Sequence, residues 1–266
     1  MNMSKYREYK IRDATVKIDT DYESNMGIYG DPFWREIANG TYETVTFNFL
    51  EKLNKSGYEE FIDIGAATGC MSLYAASTGL KVISVEPQQM VYEALVKNLE
   101  LNPSLSSRIS LVYALVSKSN DQSSILESFT PGAAGPIGAG QLTSNSVTIK
   151  ELLDMAGENS KVAIKIDIEG AEFPLLADRP TINFLSERKP LIYIALHPGF
   201  KKPLRSNARY FSRYIWRIQA AKDVFDFYLA VSSKAKIYVA SNNKKVGLLG
   251  LFSALSRDEK DYLLVF

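Results

Sequence analysis

Residues 61–70 read FIDIGAATGC, a short apolar run followed by glycine and other small residues. The apolar run at 61–64 predicts a buried strand, and the small residues after it predict a tight turn into a helix. Glycine at positions 65 and 69 lets a ligand approach the backbone, because a side chain there would occupy the ligand's place. The stretch therefore predicts a nucleotide-type loop that binds its ligand mainly through backbone groups.

The spacing of the small residues separates two kinds of cofactor. A dinucleotide fingerprint, G-x-G-x-x-G, would need a small residue where the chain has Cys70. The spacing acid-x-G-x-G-x-G is filled instead by Asp63, Gly65, Ala67 and Gly69, with alanine as the one substitution. This pattern resembles the first motif of S-adenosylmethionine (SAM) methyltransferases.

A second acidic residue strengthens the SAM interpretation. Glu86 ends a second apolar run, 82–85, at about the 20-residue offset where a carboxylate can accept both ribose hydroxyl protons. Similar turns also occur in doubly wound proteins that bind other nucleotides or none. The predicted cofactor-binding residues are Asp63, Gly65, Ala66, Ala67, Thr68, Gly69 and Glu86.

Composition and charge narrow the class of protein. With 266 residues the chain is long enough for one large α/β domain with a buried core. The net charge of +1 gives no overall field that would favour nucleic acid or an acidic partner. The single cysteine, Cys70, indicates a reducing cytoplasm and is predicted to be a small buried filler. No apolar stretch approaches the roughly 18 residues of a transmembrane helix, so we expect a cytoplasmic protein without a transmembrane segment.

The order of predicted elements indicates a mostly parallel sheet, because strands alternate with helices through the middle of the chain. Ligands of such sheets bind beyond the carboxyl ends of the strands. The segments 225–231, 236–241 and 261–266 are predicted to be closing strands. Earlier strands are predicted at 61–64, 82–86, 109–116, 162–166 and 191–196, and helices at 69–78, 88–100 and 148–155.

The first part of the chain has a different character. Residues 1–30 are polar and predict an ordered arm or lid, and helical spacing on either side of Asn39-Gly40 predicts two short helices that meet there. Residues 130–146 are rich in Gly, Ala and Ser. They predict either a mobile loop over the site or a plain surface connection.

Four segments together resemble the FkbM family of SAM-dependent methyltransferases: FIDIGAATG, VISVEP, IKIDIEGAE and IALHP, in this order. The upstream WREIANGTYE also resembles a segment found ahead of the first motif in part of that family. The most specific element is KIDIEGAE, and the resemblance covers about residues 33–200. It implies O-methylation, often of sugars or polyketide-like hydroxyls.

Two residues are predicted to be catalytic, Asp167 and His197, each at the end of a predicted strand. Neighbouring strands lie about 4.8 Å apart, so both side chains could reach one bound hydroxyl as base and orienter. His197 is the only histidine, and its ordinary pKa lies near neutrality. The alternative is a buried histidine held by the proline turn that follows it.

Three acids complete the predicted substrate site: Glu43, Glu169 and Glu172. The last two lie three residues apart at a predicted helix start, where acids also complement the helix dipole. A divalent ion held by Asp167, Glu169 and His197 is an alternative, but the spacing does not specify a metal and none is predicted. Lys165, inside an apolar strand, is expected to pair with a carboxylate.

A basic stretch follows the last of these motifs. Arg209 and Arg213 belong to a series of four arginines at every fourth position, which on a helix forms one cationic stripe. Such a stripe predicts contact with an anionic partner: a nucleotide sugar, an acidic glycan or an anionic membrane face. The alternative is a solvated helix face whose arginines pair with acids elsewhere. The seven cations are Lys201, Lys202, Arg205, Arg209, Arg213, Arg217 and Lys222.

These observations predict a Rossmann-like, doubly wound α/β fold with a seven-stranded, mostly parallel sheet. We expect an N-terminal helical cap at 1–55 and a SAM-dependent methyltransferase domain at 56–266, with a basic helical insertion at about 200–224. The predicted function is O-methylation of a sugar, nucleotide-sugar or glycan. The alternatives are a nucleic acid methyltransferase, which the charge does not favour, and a non-catalytic nucleotide-binding protein. The sequence does not give the oligomeric state.

Overall fold

The computed structural model describes residues 6–20, 30–119, 143, 145–168, 171–197, 210–255 and 260–266, with 210–217 described by their backbone alone. The strands are β1 (Tyr6–Ile11), β2 (Ala14–Asp19), β3 (Glu60–Ile64), β4 (Lys81–Val85), β5 (Ile109–Val112), β6 (Leu115–Ser117), β7 (Ser146–Thr148), β8 (Val162–Ile166), β9 (Leu191–Ala195), β10 (Lys236–Val239) and β11 (Asp261–Val265). The helices are α1 (Asp31–Ala38), α2 (Thr44–Lys55), α3 (Cys70–Ser77), α4 (Gln89–Glu100), α5 (Pro103–Ser106), α6 (Ile149–Met155), α7 (Glu172–Leu176), α8 (Arg179–Arg188), α9 (Tyr210–Ser232) and α10 (Leu248–Leu255).

Seven strands form one sheet in the order β10-β11-β9-β8-β3-β4-β5, which confirms the predicted α/β fold and its mostly parallel sheet. β3, β4 and β5 pair in parallel, whereas β11 pairs antiparallel with both β9 and β10. All residues of β3 and β8 are buried. Strands buried on both faces read as continuous apolar runs, which is why the sequence identified them so readily.

The segment 1–55 was expected to form a helical cap. The structure shows that this segment is only partly helical. β1 and β2 form an antiparallel hairpin, and helices begin only at Asp31. Val16 and Ile18 alternate along β2 with less buried residues, a strand pattern within a polar segment. Helices α1 and α2 lie on either side of Asn39-Gly40 as predicted.

The segment 225–231 was predicted to be a strand, and this prediction is wrong because the segment lies within α9. Val224, Phe227 and Val231 are buried while Phe225 and Leu229 are exposed. This spacing of three and four residues is that of a helix face. The run of aromatic and β-branched residues resembled a strand only in composition. The loop predicted at 130–146 lies mostly outside the described residues.

By their contacts the residues group into two compact units. The first comprises Met1–Leu115, Pro136–Asn145 and Leu152–Ala163; the second comprises Val116–Gly135, Ser146–Glu151 and Ile164–Phe266. The predicted division at residue 55 stays a prediction. Among the described helices, none combines the length and the apolar character needed to span a bilayer.

In the first unit, the hairpin is fastened to α1 through Asp31. The Tyr9 hydroxyl donates to Asp31 Oδ1 at 2.5 Å, Arg35 Nε lies 2.6 Å from Oδ2, and Arg7 lies 2.7 Å from Oδ1. The hydrogen bonds from Tyr9 and Arg35 hold the pKa of the Asp31 carboxyl well below its usual range. The ring of Tyr9 also lies 6.0 Å from that of buried Trp34.

We expect Asp31→Asn to lower the melting temperature by a few degrees at pH 7. Because the pKa of Asp31 is depressed in the fold, its contribution is full above the ordinary carboxyl value of 3.8 and is lost as pH falls through the folded value. Calorimetry at pH 7 and pH 3 would show the difference shrinking in acid. Glu36→Gln, an exposed acid of the same helix, is the control; an equal loss in both variants would contradict the assignment.

Candidate functional site

The loop after β3 contains three residues in the left-handed region: Gly65 at φ 81°, Ala67 at φ 48° and Gly69 at φ 90°. Glycine adopts this region freely, but an alanine there costs roughly 1–2 kcal/mol. The N–H groups of Gly65 and Ala66 both donate to the carbonyl of Val85 at 3.0 Å. The end of β4 therefore fixes the start of the loop and helps to maintain its strained path.

Glu86, the residue after β4, holds the centre of the loop. Its Oε2 accepts the N–H of Ala67 at 3.0 Å, and its Oε1 accepts the N–H of Gln88 at 2.9 Å. The side chain is buried, with 6% of the residue exposed. Each carboxylate oxygen can accept a second donor, so these bonds are compatible with further acceptance from a ribose. Glu86 therefore shapes the loop as well as being the predicted ribose residue.

Beneath the loop, Asp63 is fully buried, and its Oδ2 accepts the hydroxyl of Ser72 at 2.7 Å. The hydroxyl of Ser84 lies 2.7 Å from that of Ser72 and donates to it. These bonds tie β3 and β4 to the first turn of α3. Neither serine was predicted from the sequence, although each interrupts a buried apolar segment, and this interruption is the signal that could have revealed them.

The last part of the loop is closely packed. A Cβ atom added to Gly69 would lie 2.4 Å from Leu95 Cδ1, so this position accepts only glycine unless Leu95 moves. Thr68 is 3% exposed, and its hydroxyl oxygen has no hydrogen-bond partner within the described residues. A buried hydroxyl without a partner is costly, and it is a candidate to bond a ligand.

The second group of residues lies in the second unit and comprises Asp167, Glu172 and His197, which we name the acid–histidine cluster. His197 Nδ1 lies 3.0 Å from Glu172 Oε1, and the same oxygen accepts the backbone N–H of Ile168 at 3.1 Å. Because this oxygen already acts as an acceptor, we assign the proton of the His197–Glu172 bond to Nδ1. Glu172 is fully buried. Glu172 therefore orients the imidazole. Its contact with an acceptor remains a prediction, and the complete burial of its side chain does not favour such a contact.

Asp167 acts on the other ring nitrogen through charge. Its Oδ1 lies 3.7 Å from His197 Nε2, which is too long for a hydrogen bond. Its Oδ2 lies 3.5 Å from the Nζ of Lys165, a residue only 4% exposed. The buried lysine is thus placed against a carboxylate, and the carboxylate against the imidazole.

One ligand atom from each of the three cluster residues lies within 4.8 Å of the others, close enough to surround a cation. Yet Glu172 is already bonded to His197 Nδ1, and the ammonium group of Lys165 lies against Asp167. A divalent ion would have to compete with both partners. The geometry therefore suits a network of hydrogen bonds and charge contacts better than a metal site.

Burial by itself would lower the pKa of His197, since it disfavours the charged imidazolium. The hydrogen bond to Glu172 and the charge of Asp167 outweigh the burial, and the pKa of His197 is raised above its ordinary value of 6.5. Lys260 opposes this shift with its own charge. The imidazole of His197 is therefore a stronger base than an ordinary histidine.

The remaining predicted substrate residues are less well placed. Glu43 is partly buried, adopts the left-handed region at φ 52° just before α2, and accepts the hydroxyl of Thr46. Such strain in a non-glycine residue is often found at functional positions, so its predicted role stays open. Glu169 and Arg209 lie outside the described residues, and the side chain of Arg213 is not described. Their roles remain predictions.

The chain matches a known family of proteins over more than half of its length. The Methyltransferase FkbM domain matches residues 63–215, which include both the glycine loop and the acid–histidine cluster. This match, which covers more than half of the chain, places the protein in the class of methyltransferases. The chain belongs to the FkbM methyltransferase family, whose members are SAM-dependent. No curated protein matches the chain.

Solved structures are similar in fold. A putative O-methyltransferase from Klebsiella pneumoniae is 12% identical with a TM-score of 0.41, over 85% of this chain and 80% of that one. An O-methyltransferase from Bacillus cereus in complex with SAH is 14% identical with a TM-score of 0.43, over 84% and 81%. The METTL16 methyltransferase domain is 18% identical with a TM-score of 0.35, and the match covers 65% of this chain and 56% of that domain. At these identities the similarity concerns the fold alone.

The glycine loop fits SAM. The Thr68 hydroxyl is buried without a partner in the described chain, and the Glu86 carboxylate lies at the centre of the loop. The donor is small and carries a ribose, and backbone groups together with one carboxylate suit it. The predicted loop residues are thus chemically compatible with the cofactor of the family.

We expect Glu86→Gln to weaken SAM binding by at least about tenfold. The amide nitrogen of glutamine cannot accept a hydrogen bond, so either the Ala67 or the Gln88 N–H loses its acceptor. Isothermal titration calorimetry with SAM measures the change. Glu100→Gln, an exposed acid at the end of α4, is the matched control, and similar dissociation constants for both variants would refute this role of Glu86.

Because the chain has one histidine, its imidazole can be titrated by NMR without assignment of other signals. We expect a pKa above 6.5 in the native protein and a lower pKa in Glu172→Gln, where the negative charge that offsets burial is removed. By linkage, the histidine stabilises the fold below its unfolded pKa, and this contribution is lost as pH rises through the folded value. An unchanged titration in Glu172→Gln would show that Glu172 does not set the pKa.

Proposed function

We propose that the protein transfers the methyl group of SAM to a hydroxyl oxygen of a sugar, nucleotide-sugar or glycan, with His197 as the general base. One observation supports this most directly: the imidazole is held by buried Glu172 at Nδ1 and lies near the charge of Asp167 at Nε2. A hydroxyl is a weak nucleophile until its proton leaves, so oxygen methylation gains from such a base.

In the proposed reaction each residue of the cluster has one task. SAM, when bound, supplies an electrophilic methyl group. His197 Nε2 accepts the acceptor's hydroxyl proton, while Glu172 keeps the other proton on Nδ1 and thereby fixes the tautomer. Asp167 stabilises the imidazolium that forms, and Lys165 pairs with the other oxygen of Asp167 and holds the carboxylate in place.

The glycine loop of the first unit is proposed to hold the donor. Glu86 would accept from the ribose while it retains the N–H of Ala67, and Thr68 would offer its buried hydroxyl. Asp63 stays in a supporting position because its carboxylate is enclosed and bonded to Ser72. Most of the donor's fixed environment is therefore preorganised before binding, which lowers the entropic cost of binding.

The acceptor class follows from the family resemblance and from the basic stretch. The resemblance to the family implies hydroxyl acceptors, and the arginine series at 205–217 suits a phosphorylated or acidic sugar. The helix predicted for this stretch is present from Tyr210 onward as α9. A cytoplasmic site of action agrees with the single cysteine and is part of the proposal.

The test is to incubate the protein with SAM and pooled nucleotide sugars and to follow S-adenosylhomocysteine by mass spectrometry. Once an acceptor is found, His197→Asn should lower kcat/KM by roughly 10²–10⁴-fold, the usual contribution of a general base. The native kcat/KM should rise with pH through the raised pKa of His197, since only the neutral imidazole accepts a proton.

Glu187→Gln, an exposed acid of the same unit, should retain native activity and serves as the control. Methylation of RNA or DNA, with none of the sugars, would replace the proposal by the nucleic acid alternative. SAM binding without turnover on any hydroxyl acceptor would instead indicate a binding protein. Full activity of His197→Asn would remove the base from the mechanism.

A further inference from the structure

The outer edge of the N-terminal hairpin is bonded to side chains of the first unit. β2 pairs with β1 on one side. On the other side, the N–H of Lys17 donates to Asn102 Oδ1 at 2.9 Å, and Asn102 Nδ2 donates to the carbonyl of Lys17 at 2.6 Å. The N–H of Asp19 donates to Asn98 Oδ1 at 2.9 Å. Two asparagines thus take the place of a third strand.

Asn98 also bonds to the glycine loop. Its Nδ2 donates to the carbonyl of Thr68 at 2.9 Å, and the residue is only 2% exposed. A single side-chain amide therefore joins the hairpin to the loop, with its oxygen bonded to one and its nitrogen to the other. Asn102 donates to the backbone carbonyl of Asn98 at 2.7 Å, and its other donor contact is to the carbonyl of Lys17 in β2.

The carbonyl of Thr68 and the N–H of Gly69 belong to one planar peptide unit, so fixing one group fixes the other. The Gly69 N–H donates to the carbonyl of Ala66 at 2.9 Å, which closes the turn. Leu95, one helical turn before Asn98, fills the space against Gly69. The second half of the loop is thereby held against α4 by one hydrogen bond and one apolar contact.

We propose that Asn98 is a positioning residue for the methyl donor: it sets the orientation of the Thr68–Gly69 peptide and makes the N-terminal hairpin part of the donor site. The buried side chain satisfies the Thr68 carbonyl, which would otherwise be free to turn within the loop. A loop fixed before binding loses less entropy when the donor arrives. The inference rests on the proposed use of SAM but is independent of the acceptor.

The test compares Asn98→Asp with Asn102→Asp. Each substitution is isosteric, keeps the oxygen that accepts from β2 and removes the amide donor; only at position 98 does that donor reach the loop. We expect calorimetry to show about tenfold weaker SAM binding for Asn98→Asp. For Asn102→Asp we expect a change of less than about threefold. With an acceptor in hand, Asn98→Asp should raise the KM for SAM and leave kcat nearly unchanged.

Hydrogen exchange of the ligand-free protein separates this inference from the proposed function. The amides of Ala67 and Gly69 should exchange faster in Asn98→Asp than in Asn102→Asp, whether or not SAM is the donor. Asn98→Ala, which adds no buried charge, provides the same comparison if the aspartate variant fails to fold. Equal exchange at the loop and equal SAM affinity in the two variants would overturn the proposal. Absence of SAM binding in the native protein, with faster loop exchange in Asn98→Asp, would refute only the donor's identity.

Discussion

The bond between the Glu86 carboxylate and the Ala67 N–H is the interaction on which the first unit's site depends. The loop must reverse direction within five residues, from the end of a buried strand to the start of a buried helix, and it includes an alanine in the left-handed region. Such strain persists only where the surroundings determine it. Val85 and Glu86 provide this support from the neighbouring strand, so β4 stabilises both the conformation and the chemistry of the loop.

The acid–histidine cluster solves a different physical problem, which is to keep ionisable groups inside a protein. Removing Lys165, Glu172 and His197 from water is unfavourable unless each finds a partner. The chain meets this requirement with a sequence of contacts, from lysine to aspartate to histidine to glutamate, and ends it at the backbone N–H of Ile168. Removing one member leaves its neighbour without compensation. Satisfying the cluster and orienting the imidazole are therefore the same structural task.

The sequence predicted the middle of the central sheet well because β3 and β8 are buried along their whole length and appear as short, mainly apolar runs. It also predicted the loop after β3 and the position of Glu86 after β4, since these follow from spacing and from chain order, while the roles of these residues stay predictions. The prediction from sequence failed where the amino-acid composition and the spacing of the buried residues indicate different elements. The aromatic segment at 225–231 has the composition of a strand, but the burial of Val224 and Phe227 shows the spacing of a helix. Asn98 was missed as well. Its signal was a polar residue on the apolar stripe of α4, and only the fold reveals which backbone groups it meets.

Helix α3, which starts at the glycine loop, has seven of its eight residues buried, Cys70–Ala76. An element enclosed in this way cannot separate from its unit by local fraying, because its opening would expose the surrounding core. The loop shares its backbone with the first turn of this helix. The rigidity of the loop therefore depends on the whole hydrophobic core around α3. The ligand-binding surface of the loop will persist until that core unfolds.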